Sequence, residues 1–104
     1  MAQFDVHRNR GRSHDSIPFV VIVQSSLFDD YRRRVAVPLV DKSRVGPITN
    51  PRLNPIFRIK GTSVFLHPLE IVPIERDQLG ELVGSLRDES DRVIAALDEL
   101  LIRA

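Results

Sequence analysis

Five consecutive apolar residues at positions 19–23, FVVIV, constrain the fold of this chain more than any other feature. Their β-branched character is typical of a central strand covered on both faces. The run is far too short to span a bilayer, and the N-terminus MAQFDV lacks the basic-then-apolar layout of a signal peptide. We therefore expect a cytoplasmic protein with no membrane contact, built around a sheet.

Further strands are predicted where apolar and polar residues alternate. Lys60 and Gly61 lie between two such segments and indicate a tight hairpin turn, because glycine readily adopts positive φ. Pro38 has no N–H for a strand ladder and marks an edge, a bulge or a strand end. The predicted strands are residues 3–8, 19–23, 34–40, 56–59, 63–67 and 70–74, with a short strand around 45–48 in an irregular, proline-rich connection.

From Leu79 onward the apolar residues recur at intervals of three and four, which is typical of helices. Because Gly80 and Gly84 weaken the first part, we expect a turn or short helix at 77–83 and a longer helix at 86–102. Ser85 is placed to cap the longer helix. The chain is predicted to form a single domain, residues 1–104, that is mainly β with a C-terminal α-helix, as a twisted antiparallel sheet or small barrel.

Charge is distributed unevenly along the chain. Residues 1–60 contain 11 Lys/Arg and 5 Asp/Glu, whereas residues 61–104 contain 4 and 9, although the formal net charge is only +1. Two interpretations stay open: a basic face that orients an acidic partner, or opposite charges that meet within the fold or across a dimer.

The sequence offers little for catalysis. It has no cysteine, and His7, His14 and His67 lie far apart without metal-ligand spacing, so scattered surface histidines are expected. The carboxylate pair Asp29–Asp30 is more simply a turn. We predict no catalytic residue, no metal and no cofactor, and hence a protein that is not an enzyme.

The triplet Arg32, Arg33 and Arg34 is the strongest candidate for an anion-binding site. Nucleic-acid readers combine such residues with aromatic stacking platforms, but the chain has one Tyr, no Trp and five Phe mostly in apolar contexts. Because alternate strand residues face opposite sides, the three arginines cannot share one face. Anchoring of an acidic protein segment, or pairing with the acidic half of the chain, is therefore favoured over direct nucleic-acid binding.

Several segments resemble the CcdB family, the toxins of Ccd toxin–antitoxin modules. The most specific is LGELVGSL at residues 79–86, followed by an acidic and then apolar terminal helix. The others are Gln3-Phe4 with Val6, Val23-Gln24-Ser25 followed by Leu27-Phe28-Asp29, Arg33-Arg34 leading to Pro38-Leu39, and Val72-Pro73. The resemblance runs nearly end to end, with insertions near residues 13–17.

The resemblance implies an SH3-like β-barrel of the type shared by the CcdB and MazF families, assembled as a homodimer through the sheet and the terminal helix. It implies a toxin that binds the A subunit of DNA gyrase and traps it on cleaved DNA. An antitoxin similar to CcdA would neutralise it through a disordered acidic tail, and the complex would repress its own operon with the antitoxin making most DNA contacts. The implied gyrase contacts are Leu27, Phe28, Ile102, Arg103 and Ala104. The arginines expected to face the antitoxin are Arg8, Arg10, Arg12, Arg33 and Arg34.

The C-terminal residues depart from the family pattern. Well-studied members end in Trp-Gly-Ile, where this chain has Ile102, Arg103 and Ala104. Isoleucine cannot stack on a guanidinium as a tryptophan does, and loss of such an anchor typically weakens binding more than about tenfold. Two alternatives therefore remain, an mRNA endoribonuclease of the MazF type and a CcdB-fold protein that has lost gyrase poisoning. The chain does not match the N-terminal signature of the MazF family.

Overall fold

The computed structural model describes residues 2–48 and 50–101, which form seven strands and a C-terminal helix. The strands are β1 (Asp5–Asn9), β2 (Phe19–Ile22), β3 (Arg33–Asp41), β4 (Ile56–Ile59), β5 (Thr62–Leu66), β6 (Val72–Glu75) and β7 (Leu79–Ser85), and the helix is α1 (Ser90–Leu101). The prediction of a mainly β protein with one C-terminal helix is confirmed. Within the described ranges, no helix has the length and hydropathy needed to cross a membrane.

All strand pairs are antiparallel, in the order β4-β5-β3-β2-β1-β7. The strand β3 has two neighbours along one of its sides. Its C-terminal end pairs with β5, from Leu39 opposite Leu66, and its N-terminal end pairs with β6, from Ala36 opposite Val72. This division curls the sheet into a half-barrel.

Pro38 lies in the interior of β3, not at an edge, bulge or strand end as its missing N–H predicted. Its carbonyl accepts from the backbone N–H of His67 at 3.0 Å. This side of Pro38 therefore faces the gap between the end of β5 and the start of β6. No ladder hydrogen bond is needed from the proline nitrogen at that point, which is why a long central strand tolerates it.

One face of the curled sheet packs against α1. The helix buries Val93 and Ala96, and Leu86 ahead of it joins the same core. The sheet contributes Val6, Phe19, Val21, Val37, Leu39, Phe57, Ile59, Val64 and Leu66. A second, smaller cluster on the other face contains Val20, Ile22, Ala36 and Leu79, so the run at 19–23 is covered on both sides as predicted.

The β4–β5 hairpin turns at the two predicted residues. Lys60 has φ of 50° and Gly61 has φ of 79°, the left-handed pair that a two-residue hairpin requires. Ile59 and Thr62 pair directly on either side of the turn, which fixes the register of both strands.

The predicted turn or short helix at residues 77–83 is wrong, since residues 79–85 form β7. The register of β7 against β1 shifts twice, between Val6 and His7 and between His7 and Asn9. These bulges break the strict alternation of a strand, and the resulting apolar spacing imitates that of a helix. The predicted short strand at 45–48 is also absent from the structure, which has no strand between β3 and β4 in its described residues.

The α-helix begins at Ser90, four residues later than predicted, after a 3₁₀ turn at Arg87–Glu89. The Ser85 hydroxyl accepts from the backbone N–H of Arg87 at 3.1 Å, but Leu86 is the N-cap residue of the 3₁₀ turn and α1 begins only at Ser90. The prediction that Ser85 caps the longer helix is therefore wrong.

Candidate functional site: an apolar loop above a buried arginine

Three apolar side chains project from the connection between β2 and β3. Leu27 is 87% exposed, Phe28 47% and Tyr31 64%. The rings of Phe28 and Tyr31 meet edge to face with centroids 5.7 Å apart. We call these three residues the apolar loop patch. Their exposure excludes a core role for the predicted pair Leu27 and Phe28 within this chain.

The backbone beneath the patch is held by Arg34, which is only 2% exposed. Its guanidinium donates to the carbonyls of Asp29, Tyr31 and Arg33. Its Nε lies 3.9 Å from Asp29 Oδ1, and neither atom has another partner. A buried cation is stable only when carbonyls and a carboxylate replace its water, as they do here.

Gln24 and Ser25 tie the same loop from its other end. The Gln24 side-chain amide donates to the carbonyl of Phe28 at 2.9 Å, while its Oε1 accepts from Val35 N–H at 3.1 Å. The Ser25 hydroxyl accepts from Leu27 N–H at 3.2 Å and caps the 3₁₀ turn Ser26–Phe28. The loop backbone is therefore fixed in advance while its apolar side chains face solvent.

This arrangement suits binding to another macromolecule. Exposed apolar groups on a preorganised backbone lose little conformational entropy on association, and buried aromatic anchors dominate interface energies. Sequence reasoning missed Tyr31 as a member of the patch and Gln24 as its support. The only sequence signal for Tyr31 was its position as a lone tyrosine directly before three arginines.

The predicted antitoxin-contacting arginines do not form one free surface. Arg8 pairs with Glu81 at 3.1 Å. Arg32 and Arg33 both approach Glu75, at 3.9 and 3.8 Å. Opposite charges from the two halves of the sequence thus meet within the fold, the second of the two interpretations left open.

Arg34 was predicted to contact the antitoxin, but its side chain is buried and its guanidinium donates to backbone carbonyls of its own loop. It therefore offers no exposed cation to a partner. Arg10 and Arg12 are exposed, and Arg10 donates to the carbonyl of Asp77 at 3.4 Å. These two lie on the β1–β2 connection, away from the β3 end that carries Arg33. The predicted residues Ile102, Arg103 and Ala104 lie outside the described residues.

The histidines are not all at the surface as expected. His7 is buried, its Nδ1 lies 3.0 Å from the carbonyl of Gly80, and its Nε2 has no partner. His14 lies 3.3 Å from Asp15, and His67 lies 3.4 Å from Glu70. The three rings sit on different elements, and no group of three or more potential metal ligands occurs among the residues described.

One carboxylate has a shifted pKa. The Ser43 hydroxyl and then the Ser43 N–H donate to Asp41 Oδ1, at 2.8 and 2.9 Å, and lower the pKa of this exposed carboxyl below its ordinary value. Asp41 caps the 3₁₀ turn Lys42–Arg44, so its hydrogen bonds are those of a cap. The shift therefore has a structural cause and does not indicate a proton-transfer site.

Comparison with known proteins places the chain. No curated protein matches it at a significant level. Among solved structures, an endoribonuclease in complex with its cognate antitoxin, from a mycobacterial species, is 16% identical and aligns over 100% of this chain and 98% of that chain, with a TM-score of 0.74. A second mycobacterial endoribonuclease is 18% identical over 97% of this chain and 90% of that chain, with a TM-score of 0.71. At these identities the likeness concerns the fold alone.

The family comparison is more specific. The model for the CcdB protein family matches residues 3–102. The curled antiparallel half-barrel with one C-terminal helix is the fold expected for that family. Because the match covers nearly the whole chain, this protein belongs to the CcdB family.

Proposed function

We propose that this protein is the toxin of a type II toxin–antitoxin module and acts by binding the A subunit of DNA gyrase and trapping it on cleaved DNA. Membership of the CcdB family fits such a toxin. The observation that carries the proposal is the apolar loop patch, with Leu27, Phe28 and Tyr31 exposed above the buried Arg34. The patch supplies an apolar anchor for a protein partner.

The loop patch assumes particular importance because the family's C-terminal tryptophan is replaced by Ile102. Without that ring, gyrase affinity depends more heavily on Phe28 and Tyr31, the exposed aromatic side chains of the loop. Restoring the ring through Ile102→Trp should strengthen binding to the A subunit, since tryptophan is a favoured interface anchor.

The proposed protein works as a homodimer. Leu69 and Val72 are exposed on the segment that enters β6, and α1 packs against the 3₁₀ turn Pro68–Glu70 within this segment. We assign this region and the end of α1, where Leu101 is exposed, to the dimer interface. Neutralisation by a CcdA-like antitoxin and repression of the shared operon by the complex complete the proposal.

Growth of bacteria tests the proposal. Induced expression should arrest growth with double-stranded DNA breaks, and co-expression of the upstream reading frame should relieve the arrest. The variant Phe28→Ala should arrest growth far less at equal expression. Continued normal growth with the unaltered protein would contradict the toxin assignment.

A second candidate is an mRNA endoribonuclease, because both similar solved structures are described as endoribonucleases. Phosphodiester cleavage without a metal needs a general acid, a general base and a cation near one phosphate. The His14–Asp15 and His67–Glu70 contacts lie on separate segments of the chain, and no arginine of the described residues hydrogen-bonds to either pair. Incubation of the purified protein with single-stranded RNA distinguishes the two functions, since cleavage would displace the gyrase proposal.

A further inference from the structure

One long segment of the chain carries positive charge and no negative charge. Residues 42–69 contain five Lys/Arg and no Asp/Glu, although acidic residues border the segment at Asp41 and Glu70. The segment forms the 3₁₀ turn Lys42–Arg44, the proline-rich connection and the hairpin of β4 and β5. Such an excess of one sign of charge is either neutralised within the fold or left to attract a partner.

Only one of these five cations is neutralised within the described part of the chain. Arg52 donates to Glu99 at 2.9 Å and lies 3.8 Å from Asp98, both on α1. The other four cations form no ion pair with any residue that the structure describes. We call these four residues the basic hairpin surface; they are Lys42, Arg44, Arg58 and Lys60.

The sheet brings the members of this surface close together. Arg58 of β4 pairs with Ser63 of β5. The next residue of β5 pairs with Asp41, which ends β3 directly before Lys42. Because neighbouring strands lie about 4.8 Å apart, the backbones of Arg58 and Lys42 are roughly 10 Å apart. Lys60 lies two residues beyond Arg58, at the tip of the hairpin.

Nearby carboxylates do not cancel the charge of the basic hairpin surface. Asp41 borders the surface, and its carboxylate accepts from the hydroxyl and the N–H of Ser43. Four cations against Asp41 leave a formal charge of +3, or +2 if Asp15 on the adjoining β1–β2 connection is included. Three of the four cations are exposed and Lys42 is partly exposed, so this charge faces solvent.

Protection of a sheet edge explains only part of this charge. The strand β4 lies at one edge of the sheet, and cationic side chains on an edge prevent pairing with another chain. That role accounts for Arg58 and Lys60. It does not account for Lys42 and Arg44, which lie on the turn that follows β3 and not on the edge strand.

The groups around the cations suit a phosphate backbone. Ser63 lies opposite Arg58, and Thr62 follows the hairpin turn, so hydroxyls lie beside the cations. Hydroxyl, lysine and arginine side chains make most of the contacts that proteins form with nucleic-acid phosphates. Both phenylalanines of the segment, Phe57 and Phe65, are buried and cannot stack on an unpaired base. A duplex therefore fits this surface better than a single strand.

We propose that the basic hairpin surface binds the phosphate backbone of duplex DNA without regard to base sequence. The choice of DNA rests on the proposed function, because a protein that traps gyrase on cleaved DNA works beside a duplex. The apolar loop patch and the basic hairpin surface flank opposite ends of β3, a strand of nine residues and thus about 26 Å long. One end of the molecule can contact a protein while the other contacts DNA.

Fluorescence anisotropy of a labelled duplex of about 20 base pairs measures binding by the full chain alone. A surface that neutralises four phosphates gives a slope of about −3.6 in log K against log salt, at about −0.9 for each phosphate. We expect that slope, and therefore about a 50-fold loss of affinity between about 50 and about 150 mM salt. A duplex of unrelated sequence should bind with the same affinity. Absence of binding at the lower salt concentration would overturn the proposal.

Charge-removing variants locate the contact. Arg58→Gln and Lys60→Asn should each reduce the magnitude of the slope by about 1 and weaken binding at least about threefold at the lower salt concentration. Asparagine is chosen for position 60 because φ there is 50°, which asparagine tolerates. Arg87→Gln removes an exposed cation that follows β7, the strand at the other edge of the sheet, and should change neither quantity.

Equal losses in all three variants, or no loss in the two hairpin variants, would contradict the assignment. Each variant should retain the circular dichroism spectrum of the parent. If a hairpin variant unfolds, Lys42→Gln repeats the test outside the hairpin, with the same expected change in slope.

Competitors distinguish duplex DNA from other anions. Single-stranded DNA or RNA of the same length should bind more weakly, since the surface has no exposed phenylalanine to stack a base. A polyglutamate peptide at equal charge concentration should not displace the duplex. Tighter binding of a single strand, or displacement by polyglutamate, would overturn the proposal. These assays contain no gyrase, so their failure remains distinguishable from failure of the toxin assignment, which growth arrest tests.

Discussion

The buried guanidinium of Arg34 donates to the backbone carbonyl of Tyr31, so that a cation inside the fold holds the backbone from which an exposed aromatic side chain projects. Arg34 lies in β3 opposite Ile74 of β6, and the strand holds the arginine in place. The apolar loop patch is therefore supported by the sheet itself. This relationship explains how a loop can present apolar groups to a partner without collapsing onto the core.

Removal of Arg34 should destabilise the protein. We expect Arg34→Met to lower the free energy of unfolding by about 3 kcal/mol, because three carbonyls lose a charged donor and Asp29 loses its counter-ion. Urea denaturation measures the change. Arg33→Met, at an exposed neighbour, should change stability by less than about 0.5 kcal/mol. Equal losses for the two variants would show that Arg34 does not support the loop.

Truncation of Phe28 should affect binding more than folding. Since its ring is about half exposed, we expect Phe28→Ala to change the free energy of unfolding by less than about 1 kcal/mol. Its affinity for the gyrase A subunit should fall at least about tenfold, the usual effect of losing an aromatic anchor. Calorimetric titration measures the affinity, and Val45→Ala supplies a control at another exposed apolar residue. A large loss of stability would instead place Phe28 in a packing role.

Gly80 should not tolerate a side chain. A Cβ at this position would lie 2.7 Å from the carbonyl oxygen of Arg8 in the neighbouring strand, where neither backbone can easily move. Gly80→Ala should therefore cost about 2 kcal/mol of stability. Gly84 lies in the same strand, and a Cβ at this position would have no atom within 4 Å. Gly84→Ala should therefore be neutral or slightly stabilising. Thermal unfolding of both variants checks the difference, and equal melting temperatures would argue against the close approach of β7 to β1.

The Asp41 cap should depend on pH in a defined direction. Its pKa is lowered chiefly by the Ser43 hydroxyl, so its stabilising contribution is present above the unfolded-state pKa and is lost as pH falls through the lower folded-state pKa. Ser43→Ala should raise the pKa of Asp41 toward its ordinary value of 3.8. NMR titration of the side-chain carboxyl measures the change, with the distant Ser85→Ala as control. If the pKa of Asp41 were unchanged in Ser43→Ala, the Ser43 hydroxyl would not be the main cause of the lowered pKa.

Local residue chemistry explains which parts of the fold could be predicted. Lys60 and Gly61 specify their turn through backbone conformation alone, and the run at 19–23 requires burial on both faces. The strand at 79–85 could not be recognised because two bulges against β1 alter its apolar spacing. That difference depends on a partner strand more than 60 positions away in the sequence.

The candidate site was predictable only in part. Leu27 and Phe28 are exposed, and the contact role that family resemblance implies for them stays a prediction. The burial of Arg34 could not be read from the sequence, since an arginine beside two others gives no sign that carbonyls of its own loop enclose it.

The most direct test of the central claim, that this protein acts by holding another macromolecule, is a gyrase cleavage assay. The purified protein is incubated with gyrase, ATP and supercoiled plasmid, and linear DNA is measured after denaturation of the enzyme. We predict that linear DNA accumulates with the unaltered protein and falls sharply with Phe28→Ala. Unchanged plasmid in this assay, together with cleavage of added RNA by the same preparation, would contradict the account.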